Sequence, residues 1–266
     1  MRGGSVPAIN IDGIKINYMD SGRGMPLVFV PGLAGSKEWF SYQASGLSDH
    51  FRIVSYDLRR ASGHVDYSLD LLVDDLFRFL KALRIYGAVI VGHSLGGLIA
   101  MCFALNHPEY CPALVLCSTT PTFPSESIDE LGAFVLVGKA ESEGFFAKMW
   151  RRLFGSKAEQ EEPGGISTEM ARLAGRLDHA TLAHRLNILR KTDLRPILPQ
   201  IAIPTLIVAS TGDQPYVLAG SQLMDESIPE STLEVIENDD EFYFYTRHDI
   251  FNDILIDYVS EKIARF

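Results

Sequence analysis

Short apolar runs alternate with helical patterns along most of the chain, and this alternation limits the possible folds more than any other feature. Most runs are apolar throughout rather than at every second residue, which is typical of strands buried on both faces of a parallel sheet. The runs that read as strands are residues 26–30, 52–57, 88–91, 113–117, 205–209 and 233–236. Segments with apolar residues at helical spacing, such as Leu69 to Leu83, separate most of them. The pattern predicts an α/β fold with a mainly parallel central sheet and helices on both faces.

One stretch breaks this alternation. From about Pro121 to Pro199 the sequence contains helical segments but no convincing strand. A helical insertion between two core strands predicts a cap over the carboxyl edge of the sheet, where open α/β sheets bind ligands. We therefore expect residues 1–120 and 200–266 to form the core, with residues 121–199 as a helical cap insertion.

The composition is that of a globular protein and narrows its partners. The 266 residues are 47% hydrophobic, enough for one full core, and their formal charge is −10. An acidic chain repels nucleic-acid phosphates and anionic lipids, so we expect neither nucleic-acid nor membrane partners. We expect a small-molecule substrate or ligand, which the sign of the charge does not identify. No signal-peptide pattern or apolar run of transmembrane length is present, and three cysteines form no disulfide framework. These features predict a cytoplasmic protein.

A serine stands between two glycines at the junction of an apolar strand and an apolar helix. The segment Gly92-His93-Ser94-Leu95-Gly96 matches the pattern G-x-S-x-G. A nucleophilic serine needs a sharp strand-to-helix turn that exposes its Oγ, and the flanking positions must lack bulk. The N-terminus of the following helix also favours negative charge that develops nearby. This context predicts that Ser94 is a nucleophile on such a turn.

Further motifs surround this serine in the expected order. They are Val30-Pro31-Gly32 after an early strand, the sequence Tyr-Asp-Leu-Arg at 56–59, and the strand at 203–208 leading to Gly212-Asp213. With these motifs the chain, from about residue 9 to 259, resembles the α/β-hydrolase superfamily. It is most similar to small capped members of the enol-lactonase, esterase and peroxidase-like types.

The resemblance implies an α/β-hydrolase fold and a set of catalytic groups that needs no cofactor. In this family the nucleophile is followed along the chain by an acid and then by a histidine. Asp213 matches the acid, which would orient an imidazole and stabilise its charged form. The oxyanion hole would use two backbone N–H groups, one from Leu95 and the other from Leu33 in the loop after the early strand.

The position that the family gives to histidine holds a different residue here. Alignment of the last strand and the last helix places Asp240 at the family's glycine and Glu241 at its histidine. A carboxylate with an ordinary pKa of about 4.3 is a much poorer base for a hydroxyl than an imidazole. If Glu241 lies close to Asp213, repulsion between the two negative charges would raise the pKa of one of the two carboxyl groups. His248 is an alternative base if the loop from Asp239 to Arg247 is rearranged, whereas His93 would pack away from the nucleophile.

Two functional hypotheses remain open. The first is a serine hydrolase for a small ester, lactone or thioester that uses Ser94 and Asp213 with an impaired or altered base at Glu241. The second is a catalytically weak or inactive ligand-binding or receptor protein that uses the same capped pocket. The acidic residues at 239–241 match no metal-binding loop, so we expect no metal.

Overall fold

A single sheet of eight strands forms the centre of the protein. The computed structural model describes residues 7–63, 66–129, 177–237 and 241–263. The strands are β1 (Ala8–Ile11), β2 (Ile14–Ser21), β3 (Pro26–Val30), β4 (Arg52–Tyr56), β5 (Val89–His93), β6 (Ala113–Cys117), β7 (Thr205–Ser210) and β8 (Ser231–Ile236). Their order in the sheet is β1-β2-β4-β3-β5-β6-β7-β8. The pairs β1–β2 and β2–β4 are antiparallel and the other neighbouring pairs are parallel.

Helices connect the parallel strands. The α-helices with both ends in the described ranges are α1 (Ser41–Gly46), α2 (Leu69–Ala82), α3 (Leu95–Asn106), α4 (His179–Lys191), α5 (Pro215–Ser227), α6 (Tyr243–Thr246) and α7 (His248–Ile263). Side-chain caps begin two of them: Ser68 Oγ accepts from the Leu71 N–H, and an Asp178 carboxylate oxygen accepts from the Thr181 N–H. The predicted α/β fold, with a mainly parallel sheet and helices on both sides, is confirmed.

The sequence pattern of the strands follows from their burial. All residues of β5, β6 and β7 are buried, which explains why these strands read as unbroken apolar runs. The hairpin of β1 and β2 turns at Asp12 and Gly13, whose φ angles are +49° and +82°. Two consecutive residues with positive φ are typical of the tight turns that join antiparallel strands.

The parallel arrangement brings the loops that follow β3, β5, β6, β7 and β8 to one edge of the sheet. Most of the predicted cap, residues 130–176, lies outside the described residues. Its described part includes α4, which contacts the loops at this edge through Arg185. No helix in the described ranges is both long enough and apolar enough to span a membrane.

Candidate active site

Ser94 lies on the sharp turn between β5 and α3. Its φ of +52° and ψ of −117° fall in a region that residues other than glycine rarely adopt. The Ser94 N–H donates to the Cys117 carbonyl at 3.0 Å, and the Gly97 N–H donates to the Ser94 carbonyl at 2.8 Å. Thr119 Oγ1 donates to that same carbonyl at 2.8 Å. The strained turn between strand and helix, called the elbow below, is therefore held from both the strand side and the helix side.

Glycines let three backbone segments meet at this turn. A Cβ on Gly92 would overlap the Gly96 carbonyl, and a Cβ on Gly96 would overlap the Val30 carbonyl at the end of β3. A Cβ on Gly32 would lie 3.1 Å from the Cβ of Ser94. The loop after β3 consequently packs directly against the elbow.

The two residues expected to form the oxyanion hole lie in these segments. Leu95 is the first residue of α3 and is fully buried. Leu33 follows Gly32 in the loop after β3, and its carbonyl accepts a hydrogen bond of 2.7 Å from Arg185 Nη1. The fold thus brings both residues to the elbow, while their role as oxyanion donors stays a prediction.

Asp213 lies just beyond the end of β7 and is 8% exposed. Its Oδ2 accepts hydrogen bonds from the Ser210 N–H at 2.8 Å and from Ser118 Oγ at 3.1 Å. Ser118 follows β6, so the carboxylate is anchored between the ends of two adjacent strands. This is the same edge of the sheet on which Ser94 lies.

Glu241 comes close to the elbow and to the same region as Asp213. Its Oε1 lies 4.0 Å from Nε2 of His93, and its side chain is 12% exposed. Burial, together with the negative charges of Glu241 and Asp213, raises the pKa of Tyr216. Tyr216 lies in the first turn of α5, so the charges of both carboxylates act on the same side chain. Asp239 and Asp240 lie outside the described residues.

His248 occupies a different environment. Its ring stacks on Tyr42 of α1, with the ring centroids 4.2 Å apart and the planes within 5° of parallel. Within the described part of the chain, no hydrogen bond or ion pair joins it to Ser94, Asp213 or Glu241. The segment 239–247, which reads as a loop in the sequence, contains the short helix α6.

His93 is buried behind the elbow, with only 2% of its surface exposed. Its ring packs among Trp39, Phe242 and Phe244, at centroid distances of 6.1, 5.8 and 4.9 Å. Burial lowers the pKa of His93 to about 3, and the backbone of Glu241 opposes this shift more weakly. The imidazole is therefore neutral near pH 7 and forms part of the aromatic packing under the site.

This buried imidazole should make the fold sensitive to acid. Between pH 6.5 and 3 the unfolded chain binds a proton at residue 93 that the folded chain excludes, so stability falls as the pH falls. We expect this residue alone to remove about 2–3 kcal/mol of unfolding free energy between pH 7 and 4.5. Urea unfolding of His93→Gln should show a correspondingly weaker dependence on pH. His50→Gln, which removes an exposed histidine, is the matched control, and equal pH dependence in all three proteins would contradict the prediction.

Two residues at this edge of the sheet are missing from the set that the sequence predicts. Tyr216 directly follows the Asp213-Gln214-Pro215 segment, so its position close to the acid was the available signal. Nothing in the sequence marked Arg185 as part of the site, because it is simply a basic residue within an otherwise amphipathic helix. In the described ranges, no group of three His, Cys, Asp or Glu side chains is arranged to hold a metal ion.

Comparison with known proteins agrees with this fold. A family model described as alpha/beta hydrolase fold matches residues 25–247. A protein of Yersinia enterocolitica, provisionally named carbamate hydrolase RutD, is 28% identical over 260 residues, covering 92% of this chain and 91% of that protein. The esterase EaEST from Exiguobacterium antarcticum is 25% identical, with a TM-score of 0.82 over 96% of this chain and 98% of that one. The enol-lactonase from Burkholderia xenovorans shares the fold, with a TM-score of 0.82 at 21% identity over 96% of this chain and 100% of that one. The chain belongs to the α/β hydrolase fold family.

Proposed function

We propose that the protein is a serine hydrolase of a small carbonyl substrate, either an ester, a lactone, a thioester or a carbamate, with Ser94 as its nucleophile. The observation that carries the proposal is the backbone of Ser94, because a serine at φ +52° costs about 1–3 kcal/mol and persists only where its surroundings impose it. Such strain is typical of functional sites. The carbamate class enters from the name of the similar Yersinia protein.

The proposed reaction is acyl transfer in two stages. Ser94 Oγ attacks the carbonyl carbon while its proton passes to a base, and the carbonyl oxygen becomes an oxyanion bound by the Leu33 and Leu95 N–H groups. The intermediate collapses to an acyl-serine as the alcohol, thiol or amine leaves with a proton. Water then attacks the acyl carbon, which releases the acid and restores the serine hydroxyl.

The base is the weak component of this proposal. We assign it to Glu241, whose charge acts on Tyr216 together with that of Asp213. A carboxylate that must accept a serine proton at neutral pH is a poor match, because the ordinary pKa of a carboxyl group is far below that of an imidazole. We therefore expect slow turnover rather than none, because the oxyanion hole and substrate binding alone provide residual catalysis.

A ligand-binding protein is the second candidate function, and the observation that favours it is the carboxylate at position 241. In that case Ser94 would keep its strained turn without acting as a nucleophile, and the pocket would hold a small molecule without converting it. The two candidates differ in one measurable property, the nucleophilicity of Ser94.

Labelling by a fluorophosphonate tests the proposal, because this reagent forms a covalent adduct only with an activated serine. We expect mass spectrometry to find the adduct on Ser94, and slow hydrolysis of p-nitrophenyl acetate by the same preparation. Ser94→Ala should abolish both signals, and Ser62→Ala, at an exposed serine, should leave both unchanged. A folded wild-type protein that neither takes the label nor hydrolyses any ester, lactone, thioester or carbamate would favour the ligand-binding function.

A further inference from the structure

Arg185 of α4 is a charged side chain buried as completely as the apolar core, with 1% of its surface exposed. Its Nη1 donates to the Leu33 carbonyl at 2.7 Å. Its Nη2 donates to the Leu58 and Arg59 carbonyls at 3.2 and 3.3 Å, and its Nε donates to Tyr67 Oη at 3.1 Å. In the described part of the chain, no carboxylate lies within ion-pairing distance of it. Among the described residues, the guanidinium is therefore a buried charge whose acceptors are neutral oxygens.

Such an arrangement is difficult to explain by stability. Burial of a charge is costly, and even buried ion pairs are often no more stabilising than apolar residues of the same volume. The planar guanidinium of Arg185 does provide fixed geometry, because its N–H donors hold several acceptors in set directions. The acceptors belong to two separate segments of the core, the loop after β3 and residues 58–67.

The first of these segments contains the proposed oxyanion donor. Leu33 N–H would bind the oxyanion, and the carbonyl of the same residue is held by Arg185. On one side, Gly32 packs against Ser94. On the other side the loop borders a cavity of about 650 Å³, lined in part by Ala34, Gly35 and Arg185. Leu33 and Ala34 are themselves buried, and the hydrogen bond from Arg185 is the described side-chain contact that ties the Leu33 carbonyl to α4.

We propose that Arg185 is a positioning residue, which fixes the loop of Leu33 for oxyanion binding and couples that loop to α4. The inference rests on the proposed function, because an oxyanion must form at Ser94. It assigns Arg185 no contact with the substrate. An arginine on the inserted segment would thus determine whether the core presents a competent oxyanion hole.

The test compares wild type with Arg185→Gln, Arg185→Lys and Arg190→Gln in p-nitrophenyl acetate hydrolysis. Arg190 is the matched control, since it lies on the same helix but is exposed and pairs with Asp129. Each kcat is normalised to the fraction of Ser94 that fluorophosphonate labels, which removes the contribution of unfolded protein. Misplacement of an oxyanion donor should lower kcat about 10–100-fold in Arg185→Gln, with KM changed by less than about threefold.

The other two variants and the wild type give results that can contradict the inference. Arg185→Lys keeps the charge without the planar guanidinium and should fall between wild type and Arg185→Gln, while Arg190→Gln should match wild type. If the wild type is active and Arg185→Gln has the same kcat per labelled site, this inference is wrong and the proposed function is unaffected. If Arg185→Gln does not fold, wild-type kcat in Arg185→Lys overturns it equally. A wild type that neither labels nor hydrolyses overturns the proposed function, and this inference with it.

Discussion

Replacement of Glu241 by histidine, together with Asp240→Gly, should raise the hydrolysis of p-nitrophenyl esters by about 10²–10⁴-fold. An imidazole can take the serine proton near pH 7 and return it to the leaving group, which a carboxylate does poorly. Glu241 is the side chain that lies 4.0 Å from His93 at the base of the elbow, and its charge and that of Asp213 both act on Tyr216. Asp213, the proposed acid partner of this histidine, is already anchored by hydrogen bonds from Ser118 and Ser210.

Two controls separate a restored triad from an unspecific effect of the imidazole. The gain should vanish when Ser94→Ala is added, because no hydroxyl would remain to be activated. Glu241→Gln, which removes the charge without supplying a base, should give no increase. A fast wild-type esterase that is unaffected by Glu241→His would mean that another group is the base, and His248 would then be the first residue to substitute.

Gly96→Ala should destabilise the fold by about 3 kcal/mol or more, which is the upper end of the usual cost of overpacking. The added methyl group would overlap the Val30 carbonyl and would lie 2.8 Å from the Pro31 carbonyl. Both obstacles are backbone atoms, one at the end of β3 and one in the loop that follows it, so α3 and β3 would have to move apart. The same movement would separate Ser94 from the loop of Leu33. Urea unfolding should show a lower free energy of unfolding, and the remaining folded protein should show less fluorophosphonate labelling.

Gly87→Ala is the matched control for this substitution. A Cβ at Gly87 would meet nothing within 4 Å, and the residue precedes β5 rather than following it. Its unfolding free energy should change by less than about 1 kcal/mol, and its labelling should not change. Equal stability of the two alanine variants would mean that the contact between α3 and β3 is not as tight as described.

The fold could be predicted from the sequence because its signals are local. Each central strand is an unbroken apolar run since helices cover both faces of the sheet. Ser94 could be placed on a turn because a strand, a G-x-S-x-G pattern and a helix follow one another within about 20 residues. Neither inference needed to know which distant segments touch.

The support of the candidate site could not be predicted in the same way. Arg185 contacts Leu33 across 152 positions, and Asp213 contacts Ser118 across 95. No periodicity or spacing encodes such pairs, because they result from how the loops fold together at the edge of the sheet. The burial of His93 is a similar case, since its aromatic surroundings come largely from residues 242–244, near the other end of the chain.

The bond between Ser118 and Asp213 also bears on how such chains are compared. Residue 118 follows β6 and residue 213 lies beyond β7, yet their side chains touch at 3.1 Å. A relative with an acid at the first position and a serine at the second would hold its negative charge in nearly the same place. In a sequence alignment, that relative would seem to have lost its acid, although its carboxylate would only follow a different strand. For this family, the carboxylate is better compared by its location in space than by its position along the chain.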